Sequence, residues 1–211
     1  MIRVTEKGSV KAQGRKIRRI WMNTVVYPGS FDPVTVGHMD LIRRAAGIFD
    51  HVIVGVLVNS DKKSPLFSLE ERVIMLRDAC KDIENVSVEC FDGLLIDFVR
   101  AKGSKTIIRG LRELMDFEME LQMAQVNRIA SVGGMDTSGG MDASETEGFS
   151  ESSKSQYRDA IETLFLPTDP RYSNVSSSVV REYARYGVSL SGFVPENVLS
   201  AMKAKGIIRN S

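Results

Sequence analysis

The sequence predicts an α/β fold built on a doubly wound, parallel sheet of about five strands with helices on both faces. Three observations carry that expectation. Strand-length apolar runs alternate with segments of helical periodicity along most of the chain. One run, Val52-Ile53-Val54-Gly55-Val56-Leu57-Val58, has no polar interruption, the pattern of a parallel strand covered on both faces. A turn punctuated by glycine and proline leaves the apolar residues Val25, Val26 and Tyr27 and runs straight into a helix. In such sheets ligands collect outside the carboxyl ends of the strands, near the point where strand order switches.

Composition sets the limits. At 211 residues, 43% of them hydrophobic, the chain supports one sizeable core with appendages and leaves little room for a second full domain. Lys and Arg total 28 against 27 Asp and Glu, a net charge of +1, so no overall field favours nucleic acid and any anion binding must be local. Cys80 and Cys90 lack Cys-x-x-Cys spacing and a nearby His cluster, which argues against zinc and against a disulfide framework. A cytoplasmic, reducing environment fits them best. No apolar run approaches the roughly 20 residues that span a bilayer, and the start lacks the apolar core of a signal peptide, so no membrane partner is expected.

Residues 1–23 are polar and basic, with Lys16, Arg18 and Arg19 close together, and read as a disordered leader. With Met22 as an alternative start, an extension ahead of the natural protein explains them best; an organelle-targeting peptide fits less well, given the short length and Glu6. A single domain is expected over residues 24–206. After the first strand, Met39, Ile42, Ala46 and Phe49 fall on one face at helical spacing, which places His38 in the first helical turn. Unpaired N–H groups and the positive end of the dipole suit that position to phosphates, and a donor imidazole there can touch one. Gly29 and Gly37, lacking Cβ, would let a polyphosphate approach the backbone. A lone His at a helix start is more often a cap or a surface residue, and its neighbours are what shift the balance.

After the strand at 52–58, a loop over residues 59–65 carries Lys62 and Lys63, and Ser68 with Glu71 forms a capping box for a helix running to about Cys80. Residues 86–91 form a third strand, 94–102 a helix ended by Gly103, and 106–108 a fourth strand. Arg109-Gly110-Leu111-Arg112 then sits at a strand end, where two guanidinium forks suit a phosphate clamp; the alternative is surface ion pairing with Glu113 or Asp116. A helix over 116–130 presents Phe117, Leu121, Ala124 and Ile129 as a packed face. From 131 to 158 the composition turns to Gly, Ser, Thr, Asp and Glu, and the stretch reads as a disordered insertion. Residues 162–166 resume as a fifth strand. Ser176, Ser177 and Ser178 open a helix over 179–186 closed by Gly187, offering hydroxyls and N–H groups to an anion, although capping alone needs only one of them. Pro195 suits the first turn of a last helix ending near Lys205.

Three motifs recur in order: Tyr27-Pro28-Gly29-Ser30-Phe31-Asp32-Pro33-Val34-Thr35-Val36-Gly37-His38, which ends in a Thr-x-Gly-His element, Ile108-Arg109-Gly110-Leu111-Arg112, and Val175-Ser176-Ser177-Ser178-Val179-Val180-Arg181. Together they resemble the bacterial phosphopantetheine adenylyltransferases of the nucleotidyltransferase superfamily, from about Thr24 to Gly206 apart from the insertion. The resemblance implies a Rossmann-like nucleotidyltransferase fold. It implies transfer of the adenylyl group of ATP to 4′-phosphopantetheine, giving dephospho-CoA and pyrophosphate, with magnesium as cofactor, a homohexameric assembly and coenzyme A as feedback inhibitor.

Position by position, the resemblance makes His38 the catalytic residue and gives Ser30, Lys62, Leu95 and Arg109 to phosphopantetheine. It gives Ser30, Phe31, His38, Gly110, Leu111, Arg112, Glu120, Tyr172, Ser173, Asn174, Val175, Ser176, Ser177 and Ser178 to ATP, and no protein residue to a metal. Ser30 and Ser178 stand where the family also uses Thr, which keeps the hydroxyl, and the insertion is outside the family's pattern. The acceptor phosphate is already a nucleophile, so direct in-line attack needs no general base and no covalent enzyme intermediate. The competing expectations are another phosphorylated acceptor, such as nicotinamide mononucleotide or a glycerol phosphate with a cytidylyl donor, and a non-catalytic nucleotide-binding module. Near-neutral charge speaks against a fragment of a class I aminoacyl-tRNA synthetase, and a Walker A loop is absent.

Overall fold

A computed structural model of the protein describes residues 11–12, 15–16, 23–58, 65–112, 114–132 and 159–209. Short strands Lys11–Ala12 (β1) and Arg15–Lys16 (β2) pair as an antiparallel ribbon, with Lys11 opposite Lys16. The remainder of residues 1–22 lies outside the described residues, as do Lys62, Lys63, Glu113 and the expected insertion from 133 to 158.

Side-chain alternation sorts the apolar strands onto two faces. In Thr24–Gly29 (β3) and His51–Leu57 (β4), Val25, Tyr27, Val52, Val54 and Val56 belong to a large core, and Val26 and Ile53 to a smaller one behind it. The large core is closed by Val36–Ile48 (α1), Leu69–Ala79 (α2), Ser177–Arg185 (α5) and Glu196–Ala204 (α6), through Leu41, Ile42, Leu76, Val180, Val198 and Met202. The smaller one is closed by Ile96 and Val99 of Leu95–Ala101 (α3). Both faces of the central strands are therefore dry, which is why residues 52–58 are apolar without alternation.

Val86–Phe91 (β5), Thr106–Leu111 (β6) and Glu162–Pro167 (β7) complete a five-stranded parallel sheet of order β5-β4-β3-β6-β7. The chain winds outward from β3 to β5, returns to β6 on the other side of β3, and winds outward again to β7. Strand order thus switches between β3 and β6, which pair only at Val26 and Ile107, and a crevice opens beyond their carboxyl ends. The Ser68 capping box is present: the Ser68 N–H donates to Glu71 Oε2 at 2.7 Å, and Ser68 Oγ accepts the Glu71 N–H at 3.2 Å. Among the described residues no helix is long and apolar enough to cross a membrane.

Three sequence expectations change. The fourth strand does not stop at Ile108, because Arg109, Gly110 and Leu111 continue the ladder opposite Phe165, Leu166 and Pro167. The helix Leu114–Ser131 (α4) does not bury the expected face. Phe117 and Leu121 are 38% and 37% exposed, and Met119, Met123 and Val126 more so, because α4 contacts β6, β7 and α3 on one side and, among the described residues, no element packs over the other. Finally, Ser131 belongs to α4 rather than to the insertion. It is buried, its hydroxyl donates to the Arg128 carbonyl at 2.7 Å and accepts the Ile161 N–H at 2.9 Å, and its carbonyl accepts from Arg100.

Candidate active site

At the carboxyl end of β3 the chain makes one tight loop before α1 begins, and Thr35 caps that helix. Its Oγ1 accepts the His38 N–H at 3.3 Å, while the Thr35 N–H donates to His38 Nδ1 at 3.0 Å. This is a capping box in which an imidazole takes the place usually held by Glu or Gln. Because Nδ1 accepts, the ring proton resides on Nε2, on the opposite side of the ring. Burial, reinforced by Arg112 and Arg109, pushes the His38 pKa down to about 4. At neutral pH His38 is an uncharged Nε2–H donor at a helix N-terminus.

Phe31 supports this geometry with its ring in the core, where it meets the His38 ring edge-on at 5.1 Å and the Tyr27 ring at 5.4 Å. Its φ of 45° is left-handed, which turns the loop sharply and leaves only the backbone of Phe31 for a ligand. Gly29 makes room for that ring: a Cβ there would stand 2.9 Å from Phe31 Cζ. The expected approach of a ligand over Gly29 is thus an internal packing contact. At Gly110 a Cβ would lie 2.3 Å from Leu41 Cδ1, so a side chain there would force the Leu41 methyl to move.

Arg109 projects from β6 and is held on three sides. Its Nε and Nη2 donate to the two carboxylate oxygens of Glu120 at 2.7 and 2.5 Å, and Nη1 donates to the Pro28 carbonyl at 3.0 Å. The ion-pair partner of Arg109 is therefore Glu120, one helical turn beyond Asp116 on α4. Asp32, fully buried, accepts the N–H groups of Leu66 and Phe67 at 3.0 and 2.9 Å and pairs with Arg181 Nη1 at 3.1 Å. That carboxylate ties the loop after β3 to the starts of both α2 and α5.

The three serines of the third motif divide their work. Ser176 caps α5 by accepting the Val179 N–H at 3.2 Å, Ser177 Oγ donates to the Pro33 carbonyl at 2.9 Å, and Ser178 Oγ accepts from Arg181 at 3.4 Å. What remains for an anion is the N-terminus of α5 itself, presented beside that of α1.

Ser30, Phe31, His38, Arg109, Gly110, Arg112, Glu120, Tyr172, Val175, Ser176, Ser177 and Ser178 line one crevice of about 290 Å³. Arg181, Thr168, Leu41 and Met119 line it too, without having been singled out as ligand contacts in the sequence; Arg181 closes the third motif, and that was the signal available for it. Leu111, Ser173 and Asn174 are not in the lining, and Ser173 Oγ instead donates to the Pro170 carbonyl at 3.0 Å. Leu95 belongs to a second, apolar pocket of about 310 Å³ with Leu94, Phe91, Met123, Asn127 and Thr163. The Arg109–Glu120 pair lines both pockets and forms the wall between them. Buried hydroxyls without a partner among the described residues occur at Thr168 in the first pocket and Thr163 in the second. Among the described residues no group of His, Cys, Asp and Glu is arranged to hold a metal ion.

Residues 26–183 match the family model of cytidylyltransferase-like proteins. The phosphopantetheine adenylyltransferase of Lachnoclostridium phytofermentans is 44% identical over 184 residues, covering 87% of this chain and 96% of that protein. The enzyme of the same name from Finegoldia magna is 44% identical, over 86% of this chain and 94% of its own. That of Caldanaerobacter subterraneus subsp. tengcongensis is 42% identical over 87% and 98%. In fold, the chain superposes with a TM-score of 0.55 on a crystal structure described as that of a nicotinate-nucleotide adenylyltransferase from Vibrio parahaemolyticus, at 15% identity over 90% of this chain and 98% of that one.

Proposed function

Since the chain belongs to the phosphopantetheine adenylyltransferase family, we infer that it transfers the adenylyl group of ATP to 4′-phosphopantetheine, forming dephospho-CoA and pyrophosphate. The observation that carries the mechanism is the neutral His38, fixed by Thr35 as an Nε2–H donor between two helix N-termini. An uncharged donor does not trade protons with the acceptor. It stabilises negative charge as it grows on the α-phosphate, which is what an in-line attack by an already ionised phosphate requires. The ATP phosphates lie against the α1 and α5 N-termini, Arg112 and Arg181, and Tyr172 offers an aromatic wall to adenine.

Arg109 and Lys62 take the acceptor phosphate, and the apolar pocket beside Arg109 takes the pantetheine arm along Leu94 and Leu95. Magnesium supplies charge neutralisation for the departing pyrophosphate. Among the described residues the carboxylate that lines this crevice, Glu120, is committed to Arg109, and the buried Asp32 behind it to Arg181, so the donor set suits an ion carried by phosphate oxygens and water. The exposed apolar residues of α4, Met119, Met123 and Val126, with Leu164 on the edge strand β7, support assembly into the homohexamer implied by the family resemblance. Light scattering of a Met123→Glu variant tests this, with a smaller particle than the wild type as the expected result.

Pyrophosphate release from ATP, measured with phosphopantetheine, nicotinate mononucleotide and glycerol 3-phosphate as acceptors, tests the function. Release with phosphopantetheine alone is the expected outcome; none above background with it would overturn the assignment.

A further inference from the structure

Arg72 of α2 is 6% exposed, and among the described residues its hydrogen-bond partners are main-chain carbonyls: Nη1 donates to Ser30 O at 2.8 Å and Leu57 O at 3.4 Å, and Nε donates to Ser68 O at 3.3 Å. Among the described residues no carboxylate forms an ion pair with it. The buried acid closest to Ser30 in sequence, Asp32, is committed to Arg181 and to the N–H groups of Leu66 and Phe67. A buried guanidinium held by main-chain carbonyls rather than by a carboxylate ion pair among the described residues is costly to the fold. Its location gives it a use. Leu57 ends β4, Ser68 caps α2 and Ser30 belongs to the loop that follows β3, so one cation pins three segments directly behind the crevice.

The bond to Ser30 also fixes a direction. The Ser30–Phe31 peptide is planar and trans, so drawing its carbonyl toward Arg72 aims the Phe31 N–H away from Arg72. Among the described residues that N–H has no acceptor, and both residues of the peptide line the crevice with His38. We propose that Arg72 is a positioning residue of adenylyl transfer, which holds the Phe31 N–H toward the substrate phosphates and supplies a fixed positive charge behind them. The proposal rests on the nucleotidyl-transfer reading of this crevice, and it does not depend on which acceptor is used.

The test is calorimetric titration of adenosine, ATP and inorganic pyrophosphate into wild type, Arg72→Met and Arg72→Lys, with kcat and KM measured alongside and folding followed by circular dichroism. Arg72→Met is expected to weaken ATP and pyrophosphate by about tenfold or more while adenosine affinity is unchanged, because only phosphate binding uses the peptide and the charge. Arg72→Lys, which keeps the charge but not the three-way grip, is expected to recover part of the pyrophosphate affinity and little of kcat. Unchanged phosphate affinity in Arg72→Met, an equal loss of adenosine and ATP, or failure of both variants to fold would each make Arg72 a structural residue and overturn the proposal. If pyrophosphate binding depends on Arg72 while no acceptor supports turnover, the acceptor assignment fails and the phosphate role of Arg72 stands.

Discussion

His38 is a helix cap and a substrate-facing donor at once, and the two roles depend on each other: the Thr35 bond at Nδ1 is what places the proton on Nε2. This makes a clean separation possible. His38→Ala is expected to lower kcat by about 10²–10³ with little change in either KM, since the donor acts chiefly on charge formed in the transition state. Gln is an ordinary partner at this position of a capping box, so His38→Gln should keep the helix start intact while kcat still falls. A defect confined to KM for ATP would make His38 a ground-state binder. The lowered pKa has a consequence for stability with a definite sign. The unfolded histidine takes up a proton near pH 6.5, whereas the folded one resists until about 4. Between those values the unfolded state binds more protons, so stability is full above about pH 6.5 and declines as pH falls toward 4. Across that window the urea midpoint of the wild type should fall relative to that of His38→Gln as pH drops; parallel curves would show that His38 does not titrate in this way. The motif was readable because its contacts span three residues. Arg181 and Arg72 were not assigned from sequence because their partners lie 149 and 42 residues away, and neither a run nor a period announces such contacts.

For the elements, hydrophobic periodicity located nearly every strand and helix, and side-chain and backbone caps at Thr35, Ser68 and Ser176 account for how sharply three helices begin. It failed where periodicity is ambiguous about its neighbour. The apolar face of α4 was legible, but the sequence does not say whether that face meets this chain's core or another surface, and the structure leaves it outward. Likewise the ladder through Arg109 and Gly110 was hidden because a charged residue and a glycine interrupt the apolar run. The helix contributes to the site through Glu120, whose two oxygens hold the Arg109 fork. Glu120→Gln removes the charge that fixes Arg109, so KM for the acceptor should rise several-fold more than KM for ATP. Initial-rate kinetics with each substrate varied in turn decide it, and a larger effect on ATP would return Glu120 to direct contact with the nucleotide.

On the scale of the whole molecule, the alternation of strand and helix foretold a doubly wound sheet, but not the order of its strands, which is set by which edge each crossover chooses. That order decides where residues 133–158 join the fold. They leave from the end of α4 and return just before β7, and the Ser131 hydroxyl bridges the two sides by accepting the Ile161 N–H. Ile161 precedes the amino end of β7, and the strand then carries the chain six residues, about 20 Å at ~3.3 Å each, before Thr168 reaches the crevice. The attachment points are therefore at the amino end of β7, about a strand's length from the crevice that holds His38, while Thr163, two residues after Ile161, lines the apolar pocket. Loop closure costs only about 0.6 kcal/mol for each doubling of length, so shortening a loop whose ends are already bridged disturbs stability little. Replacing residues 133–158 with a short Gly/Ser linker, with Ser131 retained, should leave turnover unchanged and the urea midpoint equal or slightly higher. Ser131→Ala in the full chain should do the opposite, costing roughly 1–3 kcal/mol because it strands the buried Ile161 N–H, again without altering KM. Lost turnover in a shortened chain that still folds would mean that residues 133–158 reach the crevice despite the position of their attachment.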